Sequence, residues 1–159
     1  MNDYLKIVGR EENILYEDSD IVLFIKDYVY NVGQLGIIPK EKFIILEQVP
    51  EKILSKWFKI IKLAVKILNS GLGNDSFNVL ISNGTSAGQT ISHFCIDIIP
   101  RQDQDGLNFV WNTKPYAPKE IEHLYSKISN FKQEKKVFSE DPNTNYLIRA
   151  IDRKPWLIR

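Results

Sequence analysis

His93, Cys95 and Asp97 recur at every second position of one run, Ser92-His93-Phe94-Cys95-Ile96-Asp97-Ile98-Ile99. A strand turns successive side chains to opposite faces, so the three form a row with neighbours roughly 7 Å apart. Phe94, Ile96 and Ile98 then face a core. An imidazole, a thiol and a carboxylate in one row can make a nucleophilic centre or a metal site. They can equally be a satisfied half-buried histidine, a cysteine packed as a small hydrophobe and a carboxylate meeting a backbone N–H. The preceding stretch favours chemistry. Asn83-Gly84-Thr85-Ser86-Ala87-Gly88-Gln89-Thr90 is a glycine-rich turn, and open backbone N–H groups in such turns let a chain approach a phosphate closely.

The elements that must hold this row follow from periodicity. Residues 14–16 and 21–25 are β-branched and aromatic runs split by Glu17-Asp18-Ser19-Asp20, which predicts a hairpin. Residues 35–38 and 43–46 predict two further extended segments. Over 50–68 the residues Ile53, Leu54, Trp57, Ile60, Ile61, Ala64, Val65 and Leu68 form a helical stripe, with Pro50 and Glu51 suited to its start and Gly71 to its end. In 76–82, Phe77, Val79 and Ile81 alternate as the buried face of a half-buried strand. A second helix is expected over 118–131, with Ile121, Leu124, Tyr125 and Ile128 on its apolar side. Strands, a long helix, strands and a helix make an α+β domain around an antiparallel sheet.

Composition narrows the function classes. The 159 residues suit one domain with a core of its own, and 43% hydrophobic with 26% charged residues is ordinary for a globular chain. A formal charge of +1 argues against nucleic acid as a partner. A single cysteine excludes an internal disulfide and suits a reducing cytoplasm. No apolar run reaches the ~20 residues of a membrane helix, and the N-terminus has no signal-peptide core. No membrane partner is expected.

The run Gly88-Gln89-Thr90-Ile91-Ser92-His93-Phe94-Cys95-Ile96-Asp97-Ile98-Ile99-Pro100-Arg101 resembles the signature of the histidine triad (HIT) nucleotide-binding proteins, Gly-Gln, three residues, His-x-His-x-His, two apolar residues and often Pro-Arg. Tyr16-Glu17-Asp18, Gly33-Gln34 and Ile37-Ile38-Pro39-Lys40 are similar to further segments of that family in order and spacing, and Trp111 and the helix from Pro118 to its end. The resemblance implies an antiparallel sheet with one long helix packed on it, a homodimer that joins two sheets, and a purine nucleotide or other phosphorylated small molecule as partner. It divides the chain into a HIT-like domain over 1–132 and a C-terminal extension over 133–159, docked on the domain or on the dimer partner.

In that family the middle histidine of the triad attacks phosphorus. Here Cys95 stands at that position and Asp97 at the third, so the triad His93, Cys95, Asp97 is degenerate. Gln34 replaces a supporting histidine. The phosphate-side residues Gly84, Gly88, Gln89 and Thr90 persist with His93. On the sugar side, Lys26 replaces an acid or amide with Asp27 next to it, and Ser82 replaces an asparagine with Asn83 next to it. The zinc-binding cysteines of some relatives are Asn2 and Leu5 here, and no cofactor or metal is implied. A cysteine attacks only as a thiolate in an electropositive setting, and Asp97 opposes that. The favoured reading is therefore a binding protein with the usual nucleotidyl hydrolase or transferase activity lost or impaired. Two others stand beside it: an altered Cys- or metal-dependent phosphate hydrolase, and a dimeric scaffold.

Overall fold

The computed structural model describes residues 3–108 and 110–129. The chain divides into two units, Met1–Phe109 and Val110–Arg159. In the first unit, α1 (Asp3–Val8) precedes β1 (Ile14–Glu17), β2 (Ile21–Ile25) and β3 (Leu35–Pro39), followed by α2 (Glu51–Leu72), β4 (Phe77–Ile81) and β5 (Ile96–Pro100). The strands form one sheet in the order β1-β2-β3-β5-β4, every neighbouring pair antiparallel. The expected α+β fold, an antiparallel sheet carrying one long helix, is the one found.

α2 lies on one face of the sheet. Ile53, Trp57, Ile60, Ala64 and Leu68 of its stripe are buried against Leu23, Ile37, Ile96 and Ile98. Burying a large apolar side chain is worth about 1.5–3 kcal/mol. Pro50 makes no side-chain cap bond, so the stripe rather than a cap fixes this helix. The helix runs through Gly71 and stops at Gly73, whose φ of 64° is the left-handed conformation that ends helices. The opposite face is partly covered by α1, where Tyr4 and Val8 meet Val22, Phe24 and Ile38.

Three further expectations change. Residues 43–46 are not a strand, because side chains take up their backbone: Gln48 Oε1 accepts from Ile44 N–H at 2.8 Å and Asn83 Oδ1 from Leu46 N–H at 2.8 Å. Phe77, Val79 and Ile81 alternate as expected but are 39, 42 and 41% exposed, since β4 is an edge strand whose apolar side α2 does not fully cover. Finally β5 begins at Ile96, so His93, Phe94 and Cys95 lie in the irregular approach to it.

In the second unit α3 spans Pro118–Ser129, and Ile121, Leu124, Tyr125 and Ile128 fall along one stripe of it. The extension over 133–159 lies outside the described residues. Among the described residues no helix is long and apolar enough to cross a membrane.

Candidate functional site

Alternation along β2, β3 and β5 sets the floor of a pocket. Phe24 pairs across with Gly36, and Gly36 with Asp97, so the three share the face opposite α2. A Cβ on Gly36 would sit 2.7 Å from Phe24 Cζ and 3.3 Å from Lys26 Cγ. The missing side chain is what lets Phe24 and the Lys26 stem cross β3. Lys26 follows β2 by one residue, and its Nζ reaches Asp97 Oδ1 at 2.6 Å. Gln34, fully buried, donates from Nε2 to the same Oδ1 at 2.8 Å, while its Oε1 accepts from Tyr30 N–H at 2.7 Å.

Around this floor is a cavity of about 620 Å³. α1 contributes Lys6 and Ile7, the β2–β3 loop contributes Asp27, Tyr28 and Tyr30, and the turn before β5 contributes residues 88–91. His93, Cys95 and Ser82 also line it. Of the eleven residues read from the sequence, nine line the cavity, and only Asn83 and Gly84 do not. Asn83 is taken up by Leu46 N–H and by a 3.0 Å bond from its Nδ2 to Glu47. Asp27 accepts from Asn13 Nδ2 at 3.0 Å and Arg10 Nη2 at 3.2 Å.

The glycine turn is not the open cradle that its sequence suggests. Gly84 N–H donates to Gln89 Oε1 at 2.8 Å. The N–H groups of Ala87, Gly88 and Gln89 bond to Gly84, Thr85 and Gly84 carbonyls. Gln89 Nε2 donates to Ile44 and Ile91 carbonyls at 2.7 and 2.8 Å. These groups lace the turn to the segment after β3, and its Gly88–Ile91 edge is what faces the cavity.

His93 is 2% exposed, and its Nε2 lies 2.7 Å from the Pro39 carbonyl. A carbonyl only accepts, so this contact places the proton on Nε2. Cys95 is partly exposed, yet dense surroundings, chiefly by desolvation and then by the Asp97 charge, push its thiol up to about 12. Lys26 counters this without overcoming it. Burial works against the Lys26 ammonium, the thiolate form of Cys95 and the Asp97 carboxylate work for it, and the balance lies above the ordinary lysine value. The metal reading of the His93-Cys95-Asp97 row finds no geometry: among the described residues no three His, Cys, Asp or Glu side chains gather as a metal-holding group. His93 Nε2 is engaged by a carbonyl and Asp97 by Lys26 and Gln34.

Sequence reasoning missed Tyr28, Tyr30, Lys6 and Ile7 as cavity residues. The exposed aromatic pair Tyr28 and Tyr30 beside Lys26 was a usable signal; the approach of α1 was not, because it depends on packing across the sheet.

Residues 9–104 match the HIT domain family. The chain is 31% identical over 105 residues to a HIT-like protein of Methanocaldococcus jannaschii, covering 65% of this chain and 81% of that one. It is 36% identical over 106 residues to an adenylylsulfatase of Arabidopsis thaliana, covering 65% of this chain and 54%, about half, of the relative. In fold it superposes with a TM-score of 0.73 on a histidine triad nucleotide-binding protein from Candida albicans, at 23% identity over 86% of this chain and all of the other.

Proposed function

This chain belongs to the HIT family, and from that premise we propose that it binds a nucleotide or another phosphorylated small molecule in the cavity floored by Lys26 and Asp97, without the phosphohistidine chemistry of a full triad. The observation that carries the reading is that one cavity gathers Lys26, His93 and the Gly88–Ile91 edge around Cys95, a cysteine where the family's pattern has its middle histidine. At neutral pH a thiol whose pKa is pushed up to about 12 is protonated and cannot attack phosphorus. The cavity supplies what binding needs: apolar walls at Ile7 and Phe24, two tyrosine rings at the rim and the Lys26 cation. The adenylylsulfatase relative acts on an adenylyl compound by name, in keeping with such a ligand.

The test is a thermal-shift panel of AMP, GMP, ADP and inorganic phosphate, since a ligand of the folded state raises the midpoint. A rise with at least one phosphorylated ligand is expected, and flat midpoints at millimolar concentrations defeat the reading. Mass spectrometry after incubation with an AMP amide should find unmodified Cys95.

The homodimer belongs to the same proposal. Phe77, Val79 and Ile81 stand partly exposed on the α2 side of the edge strand β4, and a second copy packed beside that edge is proposed to cover them. The extension over 133–159 is proposed to dock on the domain or on that second copy.

A further inference from the structure

We propose that Asn31, which lies outside the cavity wall, is a positioning residue: its bonds to the chain at the end of β5 hold the β2–β3 loop in the conformation that receives a ligand. The inference rests on the reading that the cavity takes a phosphorylated ligand. Residues 26–34 join β2 to β3, a longer connection than a tight hairpin turn can fix. Packing does not fix it either, because Tyr28, Val29, Tyr30 and Val32 are all exposed, Tyr28 at 92% and Val32 at 81%. Hydrogen bonds must set its path. Asp27 ties the start of the loop to Arg10 and Asn13.

Asn31 ties its far side. Its Nδ2 donates to the Pro100 carbonyl at 3.0 Å and to Asp105 Oδ2 at 3.3 Å, while its Oδ1 accepts from Val32 N–H at 2.9 Å. The anchor is itself held firmly. Arg101 donates to Asp105 through Nε at 2.6 Å and Nη2 at 3.0 Å, and Leu107 N–H donates to it at 2.9 Å. The Arg101 guanidinium also holds the Asp105 carboxyl well below the usual carboxylate range, so Asp105 stays an acceptor at neutral pH. Order then passes inward from Asn31. Its carbonyl accepts from Gln34 N–H at 3.2 Å, and the adjacent Tyr30 N–H donates to Gln34 Oε1. Gln34 Nε2 in turn holds Asp97. Asn31, Asp105 and Arg101 do not line the cavity, but Tyr28, Tyr30 and Asp97 do. With Asn31 removed, the ligand itself would have to order the tyrosines, and that ordering cost is subtracted from affinity.

The experiment pairs calorimetric titration of the full chain with AMP and hydrogen exchange of the Tyr30 amide, read by NMR without ligand. Asn31→Asp keeps the side chain's shape but sets a carboxylate against Asp105 and the Pro100 carbonyl, and Asn31→Ala removes the bonds outright. Each should weaken AMP binding by about tenfold and speed Tyr30 exchange by about fivefold or more. The control is Asn78→Ala. Asn78 Oδ1 accepts from Arg101 Nη1 at 2.7 Å, so Asn78 belongs to the same network but sits on β4. Asn78→Ala should lower the thermal midpoint and leave affinity and Tyr30 exchange at wild-type values. Unchanged affinity in both Asn31 variants overturns the assignment, whatever the exchange rates. So does an Asn78→Ala variant that shifts both readouts as far as they do, since the effect is then a general loss of stability. If the wild type does not bind AMP, the binding reading fails for that ligand, while the exchange rates still decide whether Asn31 holds the loop.

Discussion

Phe94 lies flat against Trp57, ring centroids 4.8 Å apart and planes within 1°. The stack ties the irregular approach to β5 onto α2, and with the 2.6 Å bond from Phe94 N–H to the Phe43 carbonyl it sets where His93 and Cys95 sit on either side of it. A core ring thereby positions the candidate site.

Trp57→Ala should cost about 3–5 kcal/mol, because it removes the stack and leaves a cavity. Trp57→Phe should stay within about 1.5 kcal/mol of the parent, since a ring remains and a buried Nε1–H with no acceptor among the described residues is removed. Urea unfolding followed by circular dichroism measures both. Equal losses in the two variants would show that the stack contributes little.

Gly36→Ala should destabilise the protein by about 1–3 kcal/mol, because the new methyl would meet the ring of Phe24, which is 1% exposed and has no room to withdraw. The same methyl crowds the Lys26 stem, so the variant should also bind AMP more weakly in calorimetry. Unchanged stability and unchanged binding together would count against the crossing of β3 as the element that aims Lys26.

Cys95 makes stability fall at alkaline pH. Its folded pKa is raised from an ordinary 9.0 to about 12, so above pH 9 the unfolded chain loses a proton that the folded chain keeps. The contribution is complete below pH 9 and is lost as pH rises toward 12, with a limiting slope of about 1.4 kcal/mol per pH unit. Urea midpoints between pH 8 and 10.5, in the regime set by these pKa values, should decline more steeply for the wild type than for Cys95→Ala. The thiol should also react slowly with iodoacetamide at pH 8 in the folded protein, because the desolvation that raises its pKa keeps it protonated.

Val79→Glu should convert a dimer to a monomer in sedimentation equilibrium, with little loss of fold because the side chain is 42% exposed on an edge strand. A monomeric wild type at high micromolar concentration would remove the homodimer from the proposal.

Much of the fold was legible in local pattern. The stripe from Ile53 to Leu68 and the hairpin of β1 and β2 are periodic over a few residues, and periodicity needs no knowledge of the rest of the chain. The resemblance to the HIT signature likewise singled out His93, Cys95, Asp97 and Lys26, which line one cavity. The exposed side of β4 was not legible, because alternation says which residues share a face and not whether anything covers it.

The amino-acid sequence by itself determined the antiparallel α+β class, the long helix and the alternation of His93, Cys95 and Asp97, since each is written in neighbouring residues. Only the tertiary structure decided what the site became. Lys26 and Asp97 are 71 positions apart and Gln34 and Asp97 are 63, and no local rule pairs them. The turn from Gly84 to Gly88 reads as an open phosphate cradle until Gln89 is seen to close it. Hydrogen-bond partners and pKa shifts belong to three-dimensional neighbours, and the upward push on the Cys95 thiol comes from the desolvation and the Asp97 charge that the fold brings to it.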